Sequence, residues 1–154
     1  GQKWITEKGL PLGYKAYPMP KTPNQIGLLS QATSQGAKYI VIQNVSSPAA
    51  QVAKDIKAQG LNMKIVCLNW CSDDLMVKTA AGAAEGSIMV QPFAPPSANK
   101  PGHKDVADYL KSKGSSLEAK GLHYVQGWYT MHVMAKSIQT VITAGAEMTG
   151  AQLD

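Results

Sequence analysis

YIVIQNVSSPAAQVAKDIKAQG, residues 39–60, decides the fold. Tyr39, Ile40, Val41 and Ile42 form an apolar run without alternation, as in a strand covered on both faces. The chain then turns polar through Asn44, Ser46 and Ser47. From there Ala49, Val52, Ala53 and Ile56 recur at helical spacing, with Ser47 as a capping residue, Pro48 in the first turn and Gly60 as the stop. A strand that passes through a short polar loop into a helix is half of a strand–helix–strand unit.

The unit repeats. KIVCL (64–68) and SIMV (87–90) are further unalternating apolar runs, and a shorter helical stretch from Leu75 to about Ala84 joins them. Connections this short between such strands call for a parallel sheet with right-handed crossovers. Upstream, residues 2–8 read as the end of a helix, 14–17 as a strand, and 25–35 as a helix stopped by Gly36. PMPKTP (18–23) and PFAPPSANKPG (92–102) read as loops, because proline removes ladder donors. Downstream a short helix is expected over 104–113. The longest runs over about 125–144, with Trp128, Met131, Ala135, Ile138 and Val141 along a face read as core packing and Gly145 as its end. The expected architecture is a single three-layer α/β/α domain with a mainly parallel sheet.

Composition narrows the function classes. With 154 residues, 44% hydrophobic and 16% charged, the chain is globular and lean in charge. All 15 basic residues are lysines, scattered singly, for a formal charge of +5. Without arginine to read bases or grip phosphates in bidentate fashion, a nucleic-acid partner is not expected. No apolar run approaches a membrane span, so direct membrane insertion is not expected either.

In open parallel sheets, ligands sit beyond the carboxyl ends of the strands. Here those ends read QNVSS (43–47), NWCSDD (69–74) and QPF (91–93). Three polar strand ends with Trp70 and Phe93 among them describe a small-molecule pocket better than they describe solvated loops. Asn44, Ser46, Ser47, Asn69, Trp70 and Phe93 are the candidate ligand residues.

Catalytic chemistry is not expected. The phosphate-cradling glycine patterns are absent, and His103, His123 and His132 are too dispersed for a metal site. Asp73 and Asp74 suit a helix N-terminus. Cys67 reads as a small hydrophobe, and Cys67 and Cys71 are expected to stay free thiols. No metal and no cofactor is called for. One alternative remains open: a small cytoplasmic α/β enzyme with Asn69, Cys71 and Asp73 at its active edge.

Residues 36–70, GAKYIVIQNVSSPAAQVAKDIKAQGLNMKIVCLNW, then AAGAAEGSIMVQPFAP (80–95) and YVQGWYTMHVMAKSIQTVITAG (124–145), carry a resemblance. In this order and spacing they are similar to the solute-binding proteins of branched-chain amino acid-type ABC transporters, which are type I periplasmic binding proteins. The resemblance implies a periplasmic protein of two α/β lobes that closes on a small ligand and delivers it to ABC permease membrane subunits. It implies that residues 1–154 form the C-terminal lobe, without that lobe's first strand and without the N-terminal lobe. A tyrosine contact of the family falls on Val45 or Ser46, and its ammonium-binding glutamate falls on Asn69. Those replacements, with Trp70 and Phe93 nearby, point away from a branched-chain amino acid and toward an aromatic or other carboxylate, or an amide.

Overall fold

The computed structural model describes residues 1–19, 21 and 23–153. Its centre is a parallel sheet of three strands, β1 (Tyr39–Ile42), β2 (Lys64–Cys67) and β3 (Ile88–Met89), in the order β1-β2-β3. Tyr39 pairs with Lys64 through to Ile42 with Cys67, and Val66 and Cys67 pair with Ile88 and Met89. The helices α1 (Gln2–Glu7) and α2 (Ile26–Ser34) precede the sheet, while α3 (Ser46–Ala58) and α4 (Asp74–Ala80) are its crossovers.

The helical spacing read from the sequence is what α3 buries. Ala49, Ala50, Val52, Ala53 and Ile56 pack with Ile42, Ile65, Cys67, Cys71, Met76, Ala80 and Leu29 of α2. α3 also lies close along α4, whose Met76 and Ala80 share this core. Each fully buried Val or Ile side chain adds roughly 1.5–3 kcal/mol of hydrophobic stabilisation. Asp55, on the same helix and buried, reaches α2: its Oδ2 accepts the Gln25 amide at 2.6 Å and its Oδ1 accepts Gln51 Nε2 at 2.8 Å. A carboxylate at the first turn of a helix satisfies an orphan amide and opposes the positive end of the dipole.

After β3 come a 3-10 turn (Pro96–Ala98), α5 (His103–Ser112), α6 (Leu117–Lys120), α7 (Leu122–Thr143) and α8 (Gly150–Leu153). Val106, Leu110, Leu117 and Val125 make a second, smaller core, backed by Tyr124 and Trp128.

Several sequence expectations are corrected here. Residues 14–17 form no strand: no ladder partner exists for them among the described residues, Pro18 follows, and Tyr17 Oη donates to Gln35 Oε1 at 2.8 Å instead. The strands are not covered evenly on both faces: Val41 is 58% exposed although its neighbour Ile42 is buried, and Val66, on the same face as Val41, is half-buried. α3 starts at Ser46, with Val45 rather than Ser47 in the capping position. α4 ends at Ala80, where Ala81 turns left-handed with φ of 48°. Along α7 the expected core face is buried only in part: Val141 is buried, whereas Met131 is 66% exposed and Ala135 is exposed. Residues 18–23 include Pro20 and Thr22, which lie outside the described residues.

Candidate functional site

The carboxyl ends of β1 and β2 each run directly into a helix. Val45 has no side chain able to cap α3, and Asn44 compensates, its Oδ1 accepting the Val45 amide at 2.8 Å. The other end of the Asn44 carboxamide, Nδ2, lies 3.3 Å from Met19 Sδ. Beyond β2 the Leu68 amide still bonds Ile42 O at 3.0 Å, and the chain turns back so that the Cys71 amide meets Leu68 O at 3.1 Å. Asn69 and Trp70 lie on this turn; Trp70 is 53% exposed and Asn69 half-buried. Among the described residues the Asn69 side chain makes no hydrogen bond.

Asp73 is the hub of this edge. It is the N-cap of α4, in extended conformation, with Oδ1 accepting the Met76 amide at 2.8 Å. Its Oδ2 accepts the Ser46 hydroxyl at 2.5 Å and lies 2.8 Å from His123 Nε2. Burial works to raise the pKa of Asp73, but the hydrogen bonds from Ser46, Met76 and His123 hold it below the usual carboxylate range. An ionised carboxylate only accepts, so His123 carries a proton on Nε2. Asp73 is 6% exposed, and the His123 side chain 54%. Beside them, the Gln91 side-chain amide donates to the Ser72 carbonyl.

The remaining expected ligand residues are placed differently. Ser46 is buried and its hydroxyl is spent on Asp73; Val45 and Ser47 are exposed. Phe93 is turned toward α7, its ring 5.9 Å from that of Tyr129 and edge-on to it. Sequence reasoning passed over His123, because no local spacing ties it to Asp73, 50 residues away.

This arrangement orders the chain rather than activating a nucleophile. Ser46 and His123 donate to the same carboxylate oxygen, so no imidazole stands on the serine hydroxyl to remove its proton. Cys71 is fully buried, with its Sγ 3.5 Å from Ile42 O, and the hydrogen bond that Cys67 shares with Cys71, aided by burial, pushes the Cys67 thiol up. Both cysteines are free. Among the described residues no group of three acidic, Cys or His side chains is placed to hold a metal ion, and no helix is long and apolar enough to cross a membrane.

The sequence pattern described as periplasmic binding protein matches residues 2–154. No curated protein matches the chain. Among solved structures, a branched chain amino acid ABC transporter protein from Thermus thermophilus with bound valine superposes with a TM-score of 0.85 at 22% identity, over 99% of this chain and 40% of that one. A substrate binding protein of an ABC transporter from Aeropyrum pernix gives 0.67 at 17% identity, over 73% of this chain and 30% of that one. A protein described as an ABC transporter permease, from the Pseudomonas fluorescens group, gives 0.66 at 18% identity, over 84% and 33%. The chain thus spans well under half the length of each of these three. At such identities the superpositions speak for the fold, while the sequence pattern covers nearly every residue. The chain belongs to the periplasmic binding protein family and has its type I fold.

Proposed function

We propose that this chain is one α/β lobe of the solute-binding component of an ABC transporter. The component captures a small organic solute outside the cytoplasmic membrane, in the periplasm, between this lobe and an N-terminal lobe of a longer parent. Contacts from both lobes favour the closed state that the permease subunits recognise. The observation that carries this reading is Asn69: an unspent carboxamide beside an exposed Trp70, at a strand end where Ser46 and Asp73 are already committed to each other. Asn69 and Trp70 supply hydrogen bonding and a ring face, with the exposed Val45 and Ser47 at the neighbouring strand end, while Asn44, Ser46 and Phe93 are engaged by Val45 and Met19, by Asp73 and by Tyr129.

The same geometry favours a particular ligand class. A buried ammonium group needs an anionic partner in a closed cleft. Asp73 is already satisfied by three donors, leaving it little capacity for another. A ring-bearing carboxylate or an amide needs no such partner. Calorimetry on the two-lobe parent should therefore show tighter binding of benzoate than of leucine, with Asn69→Ala weakening it at least tenfold. Tight leucine binding with no heat from benzoate would overturn the ligand class, and an unaffected Asn69→Ala would overturn the site.

A further inference from the structure

Asp73 stands where three helices begin. It caps α4 itself; α3 begins with a residue whose hydroxyl it holds; and α7 begins after Gly121, which offers no capping side chain. The two hydrophobic clusters have no residue in common, one lying under α3 and α4 and the other under α5, α6 and the start of α7. The His123–Asp73 contact crosses between them. Asp74 is also close to this crossing, its Oδ2 lying beside Gly121.

We infer that Asp73 is a positioning residue of the solute edge: one buried carboxylate oxygen holds the start of α3 through Ser46 and the start of α7 through His123. The strand-end loops and the exposed side of the His123 ring thereby keep fixed relative places. The solute part of this inference rests on the reading of the edge given above, and the two are tested apart.

Asp73→Asn retains an oxygen for the Met76 amide but removes the charge that holds His123. In the 15N-labelled chain, the imidazole pattern of neutral His123 should show a proton fixed on Nε2, and the variant should relax toward a mixture of tautomers. Amide exchange from Gln126 to Trp128 should quicken at least tenfold, while Val52 to Ile56 stay protected. An unchanged tautomer pattern with unchanged exchange overturns the inference. If the variant does not fold, His123→Gln takes its place: faster exchange at the start of α7 in a folded chain supports the inference, and none overturns it. Calorimetric titration of the two-lobe parent with benzoate and with leucine then compares wild type with Asp73→Asn, where at least tenfold weaker binding is expected and equal affinity overturns the positioning role. A wild-type parent that binds neither probe counts against the solute reading of this edge, and the exchange result alone then decides the role of Asp73.

Discussion

α3 is an amphipathic helix and α7 a more apolar one, and they use their apolar residues in different ways. In its 13 residues α3 buries Ala49, Ala50, Val52, Ala53 and Ile56 against the sheet. α7 has 22 residues and buries only Leu122, Val125 and Val141, while Tyr129, Met131, Val133, Met134 and Ile142 stay exposed. The difference lies in side-chain size and periodicity. Small residues at regular spacing let α3 pack closely along α4 over a core shared with the sheet. α7 carries large apolar residues around much of its circumference, and the elements it packs against, α5, α6 and α8, are short. Composition marks α7 as the more apolar helix, and only packing shows that the amphipathic α3 is the one that buries its apolar residues.

The largest expected effect tests this contrast with a single residue type. Met76 is fully buried in the sheet-side core, whereas Met131 is two-thirds exposed on α7. Met76→Ala should destabilise the chain by about 2–5 kcal/mol, combining lost transfer energy with an unfilled cavity. Met131→Ala should stay within about 0.5 kcal/mol. Denaturant titrations of the two variants decide the point, and similar losses from both would show that the α7 face is covered in solution.

The same contrast explains what could be read from the sequence. Gly36, Gly60 and Gly145 all adopt positive φ where their helices end, because each stop is a local property of the backbone. The parallel strands were equally visible as short apolar runs between helices, although Tyr39, Val41 and Ile88 are exposed where the runs called for cover on both faces. What the runs cannot report is which face is buried: Val41 lies in the same run as Ile42 and is exposed. Residues 14–17 carry strand-like side chains but have no ladder partner among the described residues, and a ladder needs two strands. The candidate site divides along the same line. Asn69 and Trp70 were readable because they directly follow a strand. The Ser46–Asp73–His123 cluster spans separations of 27 and 50 residues, so it exists only once the chain has folded.

Asp73 joins the two regions, and its ionisation should make the joint sensitive to acid. Its folded pKa lies below the ordinary carboxylate value, so its contribution is fully present above that range and is lost as pH falls through the lower folded value. Asp73→Asn lacks the contribution at every pH. The gap in unfolding free energy between wild type and variant should therefore be widest near neutrality, at roughly 1–2 kcal/mol, and close below the usual carboxylate range. Denaturant titrations at neutral and acidic pH measure it, and a gap that does not change with pH would remove Asp73 as the ionised tie.

The smallest expected effect has the opposite sign and lies inside the well-packed region. Ser72 is fully buried, and among the described residues its Oγ has no hydrogen-bond partner. Its backbone carbonyl is engaged by Gln91, an interaction that does not depend on the side chain. Leaving a buried hydroxyl unpaired costs about 1–3 kcal/mol relative to leaving it in water. Removing the oxygen opens a void of only one atom, so the cavity cost is a fraction of that for a deleted methionine side chain. Ser72→Ala should thus raise stability by up to about 1 kcal/mol, making it the rare truncation in this core that helps. A loss of 1 kcal/mol or more on the same titration would mean that the hydroxyl has a partner in solution, such as a buried water. The sheet-side core would then hold a polar network in place of its one unpaired serine.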